Sequence, residues 1–241
     1  MKIHRFSEID LARFAALPPG PALEQALRTY KTGGGSWSYN PVRESTSDIV
    51  AASTPLLGEI ESVPWKKIEA QITAACRRGD TQVVSNVGVG KVLYDSARQN
   101  GWKAIKLPMG RLPIGISESV RYWSDILLVD EIGVFIPFFD HRRGQGLSNS
   151  PCRQIVYSMQ HVWVRERHPD IAHARLAVIR FPEGKAGRRV KIEFHVEADL
   201  LSYEELDHRI RTVYETWARV LMERPLDGRR TGTDKGNPMG F

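Results

Sequence analysis

A predicted hairpin over residues 121–142 constrains the fold of this chain more than any other segment. Two apolar runs that favour β-strands flank a short polar stretch, a pattern typical of two antiparallel strands joined by a turn. When the segment is folded about the gap between Ile132 and Gly133, Asp125 lies directly opposite Asp140. The register of a hairpin decides which side chains share a face, so this pairing is the basis of the functional hypothesis.

The opposed carboxylates of Asp125 and Asp140 need a positive partner. Opposite residues in an antiparallel ladder have Cβ atoms about 4.5–5.5 Å apart, and like charges at that distance destabilise the pair. A divalent cation between the two carboxylates would remove the repulsion. Strand alternation also places Arg142 on the same face as Asp140. Two acids and a cation on one face predict a site for phosphoryl chemistry.

Composition bounds the class of protein and its partners. The chain has 241 residues and a net charge of +6, and 41% of the residues are hydrophobic. A packed globular core is therefore expected, and the basic balance favours polyanions such as nucleic acid. No apolar run is long enough to cross a membrane, and the N-terminus lacks a secretory signal. We therefore expect a cytoplasmic protein, in which Cys76 and Cys152 are reduced.

Periodicity and turn residues predict an α/β (α+β) protein with a mixed central β-sheet flanked by helices. We expect N-terminal helices and a Gly/Ser-rich loop over residues 1–58, an α/β core over 59–225 and a flexible tail over 226–241. The N-terminal helical arm is a candidate surface for a homodimer or another protein partner. The remaining expected elements follow the hydrophobic patterns and the capping box at Ser202: helices at 64–78, 151–167 and from 203, and strands at 102–107, 174–181 and 189–196.

Two glycines and one proline need separate interpretation. Gly88 and Gly90 precede Lys91, but Val92 stands where a phosphate-binding P-loop requires Ser or Thr, so we interpret both as turn glycines. Pro137 removes a hydrogen-bond donor from the second hairpin strand, which predicts a sheet edge, a bulge or an N position that faces away from its neighbour.

The order of elements and the two acids resemble the PD-(D/E)XK nuclease superfamily, whose members have a restriction-endonuclease-like core. The matching stretch is about residues 62–181. Asp125 takes the place of the first motif acid, and Asp140-His141-Arg142 takes the place of the acid-x-Lys tripeptide. Glu69 matches the acid that some members carry on the first helix.

The resemblance implies roles for these residues. Asp125, Asp140 and the backbone carbonyl of His141 would hold Mg²⁺ or Mn²⁺, with Glu69 assisting, and the metal would supply a hydroxide. Arg142 stands where the family has Lys; because arginine stays protonated, it would steady negative charge and would not act as a base. The residues expected to contact nucleic acid are Arg142, Arg143 and Gln154.

The residues therefore favour a metal-dependent nuclease-like protein, a possible Mg²⁺-dependent endonuclease, that acts on DNA phosphodiester bonds. The alternative is a catalytically inactive nucleic-acid-binding or adaptor subunit with the same fold, which Arg142 and Pro137 favour. A third hypothesis is a protein-interaction module that docks a partner through the N-terminal helices and Trp37-Ser38-Tyr39. Trp37 and Tyr39 either stack on bases or fix the loop to the core.

Overall fold

A mixed six-stranded sheet with helices on both faces forms the centre of the protein, which confirms the expected class. The computed structural model describes residues 6–30, 39–53, 62–108, 111–113, 119–121, 125–143, 146–184, 187–196 and 200–223. Its α-helices are α1 (Glu8–Ala15), α2 (Pro21–Thr29), α3 (Asn40–Glu44), α4 (Thr46–Ile49), α5 (Trp65–Ala75), α6 (Asp80–Gln99), α7 (Ser150–Gln160) and α8 (Tyr203–Glu223). Its strands are β1 (Ala52–Ser53), β2 (Lys103–Lys106), β3 (Arg111–Pro113), β4 (Ser119–Arg121), β5 (Ile126–Val129), β6 (Val134–Asp140), β7 (Arg175–Arg180), β8 (Glu183–Gly184), β9 (Gly187–Arg188) and β10 (Lys191–Phe194).

The central sheet has the strand order β1-β2-β5-β6-β7-β10. Strand β6 runs parallel to β7, and β1 runs parallel to β2, while the other three pairs are antiparallel. The parallel pair β6–β7 is connected through α7 and a π-helical turn over His161–Arg165. The pairs β3–β4 and β8–β9 form two small separate sheets.

Each face of the central sheet carries its own hydrophobic cluster. Because side chains alternate along a strand, Ile136 and Phe138 pack against α1, α2, α7 and α8, on what we call the α7 face. Phe135 and Phe139 pack with residues of α5 and α6 on the opposite, or α6, face. The N-terminal helices α1 and α2 thus share one buried cluster with the helices that follow β6. Within the described residues, no helix has the length and hydropathy to cross a membrane.

The predicted register of the β5–β6 hairpin is wrong by two residues. Val129 lies opposite Val134 and not, as expected, opposite Ile136. The cause is the turn, because the Asp130 carboxylate accepts hydrogen bonds from the backbone N–H groups of Ile132 (2.9 Å) and Gly133 (3.1 Å). These bonds centre the turn one residue earlier than we predicted, so Asp125 is not directly opposite Asp140.

Pro137 lies in a central strand, which excludes the sheet edge among its three expected positions. It pairs with Ala177 of the parallel neighbour β7. The β5–β6 ladder comprises the two pairs Leu128–Phe135 and Val129–Val134, so it ends before it reaches Pro137. A strand can accommodate a missing donor where pairing on one side has stopped.

Gly88 and Gly90, which we predicted to lie in a turn, are in the interior of the 20-residue helix α6. Gly88 and Gly90 are therefore helical residues, and the prediction was wrong because packing outweighs the low helix propensity of glycine. A Cβ on Gly90 would lie 2.9 Å from Ile72 Cδ1 and 3.3 Å from Trp65 Cη2. The missing side chain allows α5 and α6 to approach each other closely.

We expect Gly90→Ala to lower the free energy of unfolding by about 1 kcal/mol. Overpacking costs about 1–3 kcal/mol, and the gain in helix propensity returns about 0.5–1 kcal/mol. Gly88→Ala is the matched control, since a Cβ there meets nothing within 4 Å and should stabilise the helix. Urea denaturation of both variants measures the difference, and equal effects at the two positions would contradict the close approach.

Several other elements follow the sequence prediction closely, whereas α3, α4 and β1 lie where a loop was expected. The capping box of α8 is present: Glu205 Oε2 accepts from the Ser202 N–H at 2.9 Å, and Ser202 Oγ accepts from the Glu205 N–H at 3.2 Å. Strands β2, β7 and β10 lie within their predicted ranges. The predicted flexible tail, residues 226–241, lies outside the described residues, as does Trp37.

Candidate functional site

The predicted motif Asp140-His141-Arg142 lies at the carboxyl end of β6, where several distant segments meet. Asp140 is the last residue of the strand, and Arg142 belongs to the loop that leads to α7. The N-terminal helix α1 and the short strand β9 reach the same end through Asp10 and Arg188. We call Asp140, His141 and Arg142 the β6-end cluster.

The Asp140 carboxylate is buried and is held by the loop that follows it. Its exposed fraction is 1%. Oδ2 accepts from the Leu147 N–H at 2.7 Å, and Oδ1 accepts from the Arg142 N–H at 3.2 Å. Burial raises the pKa of Asp140, although these two N–H groups partly offset the effect. The carboxylate thus closes the 140–147 loop.

Arg142 forms a two-fold ion pair with Asp10 of α1. Its Nη1 lies 2.7 Å from Asp10 Oδ1, its Nη2 lies 2.9 Å from Asp10 Oδ2, and Nη2 also donates to Ser7 Oγ at 2.9 Å. Burial alone would raise the pKa of Asp10, but the hydrogen bond and charge of Arg142 outweigh it and hold that pKa below its usual value. Arg142 therefore links the N-terminal helix α1 to the end of strand β6.

His141 is a buried histidine that is packed between aromatic rings. Its exposed fraction is 2%, and its ring stacks on Phe181 at 5.3 Å and on Tyr39 at 5.9 Å between centroids. Within the described part of the chain, neither ring nitrogen has a hydrogen-bond partner. Burial, together with the charges of Arg43 and Arg188, lowers the pKa of His141 well below its usual value. The imidazole is therefore neutral in the folded protein.

We expect His141 to make the protein sensitive to mild acid. Its pKa is lower in the folded than in the unfolded chain, so below about pH 6.5 the unfolded chain binds more protons, and stability falls as the pH falls. The slope approaches about 1.4 kcal/mol per pH unit for one such histidine. Chemical denaturation between pH 5 and 8 measures it, and His141→Phe should flatten the curve.

The control for this titration is a variant that removes buried packing but no titratable group. Ile155→Val, at a buried position of α7, should lower stability by a similar amount at every pH. Burial also lowers the pKa of His161, so part of the slope remains in His141→Phe. A pH dependence identical in His141→Phe and the parent chain would contradict a role for the buried ring.

The two other predicted acids, Glu69 and Asp125, differ from Asp140 in the sheet face or in burial. Glu69 is on α5, whose Ile68 and Ile72 pack on the α6 face, whereas strand alternation directs Asp140 to the α7 face. Asp125 is exposed, and its carbonyl accepts from the Leu107 N–H. The structure therefore does not bring Glu69 together with Asp140 as the nuclease resemblance required.

The predicted metal ligand at the His141 carbonyl and the predicted nucleic-acid contacts at Arg143 and Gln154 have other surroundings. The His141 carbonyl, proposed as a metal ligand, accepts from Arg188 Nη1 at 3.1 Å. Arg143 pairs on the surface with Glu183 at 2.9 Å, and half-buried Gln154 lies in the first half of α7. Among the described residues, no group of three or more His, Cys, Asp or Glu side chains could hold a metal ion. Binding of Mg²⁺ or Mn²⁺ therefore stays an untested prediction, and the described residues offer no set of side chains that could hold the ion.

The sequence motifs did not predict the partners of the cluster, which are Asp10, Ser7 and Arg188. One local signal was present, because Ser7 three residues before Asp10 is an N-cap pattern, and Ser7 Oγ does accept from the Asp10 N–H at 3.2 Å. That pattern marks the start of α1 but does not indicate a contact with residue 142. Tyr39 stacks on His141, and its hydroxyl accepts from Arg188 Nη2 at 2.7 Å, which agrees with the interpretation that this residue is fixed to the core.

Comparison with known proteins gives two matches. The family model described as "Sliding clamp-binding bacterial toxin SocB" matches residues 9–226. The DNA replication inhibitor toxin SocB of Caulobacter vibrioides (strain NA1000 / CB15N) is 34% identical over 234 residues, which cover 97% of this chain and 97% of that protein. No solved structure matches the chain.

These matches correct the functional expectations. Both are to a toxin family and not to the PD-(D/E)XK nucleases, so the predicted resemblance and the predicted DNA cleavage are wrong. The expected nucleic-acid partner is also wrong, because the matched family is described as binding a protein, the sliding clamp. A short acid-x-cation motif arises by chance in many chains, and here it forms structural contacts.

Proposed function

Because the chain belongs to the SocB family of sliding clamp-binding bacterial toxins, we propose that it binds a bacterial sliding clamp and inhibits DNA replication through that contact. The observation that carries this proposal is the extent of the match. It runs from the first turn of α1 to beyond the end of α8, and the curated relative is covered over 97% of its length. The whole fold is therefore shared, and not only a short motif.

A binding role without phosphodiester cleavage agrees with the use of the β6-end cluster. Asp140 holds its own loop, and Arg142 holds α1. Both groups would have to leave buried partners before they could take part in phosphoryl chemistry, and breaking a buried pair is costly. This proposal is close to the alternative of a catalytically inactive adaptor. We further propose that the protein acts in the cytoplasm, because the matched relative is described as an inhibitor of DNA replication.

The direct test uses purified components. The full chain should bind the purified sliding clamp of Caulobacter vibrioides in fluorescence anisotropy. It should also shorten the products of clamp-dependent primer extension on a long single-stranded template. Because inhibition would act through the clamp, an excess of clamp should restore long products. If the chain neither binds the clamp nor shortens the products, the proposal is wrong.

Asp125→Ala separates this proposal from nuclease activity. Asp125 is exposed, so its replacement should leave the fold intact. Clamp binding and inhibition should persist in this variant, and the unmodified chain should leave supercoiled plasmid intact in Mg²⁺ or Mn²⁺. Plasmid cleavage that is lost in Asp125→Ala would favour nuclease chemistry instead.

A further inference from the structure

The strand β10 is the last strand of the central sheet, and within the described part of the chain no strand lies along its outer edge. In the register with β7, Ile192 lies opposite Ile179 and Phe194 lies opposite Ala177. The His195 N–H donates to Leu176 O, which makes the odd-numbered residues the hydrogen-bonded positions of this ladder. The N–H and C=O groups of Ile192 and Phe194 therefore point away from β7. Among the described residues, no strand pairs with them.

The side chains along this edge are partly uncovered and apolar. Val190, Ile192 and Phe194 are half-buried and pack against the cluster on the α6 face. Val196, just beyond the strand, is 81% exposed. An open edge with apolar side chains is a template for pairing with another chain unless something covers it.

A second exposed apolar residue lies at the same end of the sheet. Ile132, in the turn before β6, is 80% exposed. Because β6 and β7 are parallel and β10 runs back along β7, Ile132 and Val196 both lie at the end where β6 begins. Arg175 lies between them, with its guanidinium carbon 4.5 Å from the Phe194 ring centroid. The open edge thus continues into an apolar sheet end that carries a cation.

The charge along the edge indicates what kind of strand fits it. Arg189 and Lys191 are exposed, whereas Glu193 is engaged by Arg180 at 2.9 Å and by Lys191 at 3.1 Å. Lys191 shares Glu193 with Arg180, and Arg189 adds a further exposed cation, so the described part of the edge carries more positive than negative charge. In a symmetric antiparallel pair of two copies centred on Lys191, the two lysines would face each other, and like charges across strands are unfavourable. In the pair centred on Ile192, Lys191 would face Glu193, which Arg180 and Lys191 of its own chain already engage. An acidic strand would be attracted instead.

We propose that the open edge of β10 binds an extended, acidic segment of a partner protein, which joins the sheet as an added strand. Backbone groups of Ile192 and Phe194 supply the hydrogen bonds, as in other cases of β-strand addition. Alternation fixes the preferred sequence of the bound segment. The apolar side chains of the bound segment lie beside Ile192 and Phe194 on the α6 face. Its acidic side chains lie beside Lys191 on the α7 face. The proposal does not depend on clamp binding.

The test is a titration of the ¹⁵N-labelled full chain, followed by NMR, with a 12-residue peptide of alternating Glu and Val. We expect saturable shifts centred on residues 189–196. A peptide of alternating Lys and Val should bind several-fold more weakly, and a Glu/Val peptide with alternate N-methylated residues should not bind. Shifts that are absent from residues 189–196, or equal for the acidic and basic peptides, would overturn the proposal.

Two variants probe the backbone and the charge separately. Ile192→Pro removes an outward N–H and leaves the ladder to β7 intact, so peptide binding should be lost while the circular dichroism spectrum stays unchanged. Arg189→Glu should weaken the acidic peptide and strengthen the basic one, whether or not the proline variant folds. Ile192→Val is the matched control for the first variant. Sedimentation that shows a dimer of the parent chain, abolished by Ile192→Pro, would assign the edge to a second copy and contradict the proposal.

Discussion

Arg142→Ala should lower the free energy of unfolding by about 3 kcal/mol. The replacement leaves the Asp10 carboxylate, which is only 10% exposed, without its bidentate partner. Removal of one member of a buried pair costs about 3–5 kcal/mol. The Arg142 side chain is 30% exposed, so water can partly take the place of the lost guanidinium beside Asp10. We therefore expect the lower end of that range. Urea denaturation followed by circular dichroism measures the loss.

The neighbouring arginine provides the matched control. Arg143 is 54% exposed and pairs with Glu183, which is 49% exposed, so Arg143→Ala should cost less than about 1 kcal/mol. The double variant Asp10→Ala/Arg142→Ala should lose less than the sum of the single variants, since neither charge is then left unpaired. Equal losses in Arg142→Ala and Arg143→Ala would show that the contact with α1 contributes little.

Gly146→Ala should also destabilise the fold by about 3 kcal/mol. A Cβ at this position would lie 2.7 Å from Asp140 Cγ and 2.8 Å from its Oδ1. The φ angle of Gly146 is not in the left-handed region, so the clash alone opposes alanine. Overpacking costs about 1–3 kcal/mol, and displacement of the carboxylate weakens its charged hydrogen bond to the Leu147 N–H, which contributes about 1.5–3 kcal/mol.

The partner of the clash tests the cause of this loss. In the double variant Asp140→Ala/Gly146→Ala the carboxylate is absent, and the new methyl group has room. Denaturation of the two single variants and the double variant should therefore show a loss well below additive. Strict additivity would mean that Gly146 is needed for another reason, such as the conformation of the unfolded chain.

The elements that the sequence predicted well have local causes. Helix α8 begins with a capping box and keeps an apolar stripe over 21 residues, and both signals are contained in the helix itself. Strands β7 and β10 are short apolar runs bounded by turn residues. Helix α6 was mispredicted because Gly90 fits a contact with Ile72, and such a contact cannot be inferred from the helix alone.

The candidate site was hardest to predict because its contacts are distant in sequence. The motif Asp140-His141-Arg142 is plain in the sequence, but the roles of its residues depend on Asp10 and Arg188. The two-residue error in the hairpin register arose from one side chain, since the Asp130 carboxylate fixes the turn. A shift of that size removes the opposed aspartates on which the nuclease hypothesis depended.

The sequence alone determined the fold class, several elements such as α8, β7 and β10, and the basic charge of the protein, because hydrophobic periodicity, capping residues and composition act over a few residues at a time. Among the residues that the structure describes, the tertiary fold decided that Arg142 binds an N-terminal helix, that the His141 ring has no hydrogen-bond partner, and that no strand pairs with the outer edge of β10. Those features depend on which segments meet in space, and the free energy of such contacts belongs to pairs of residues far apart in the chain.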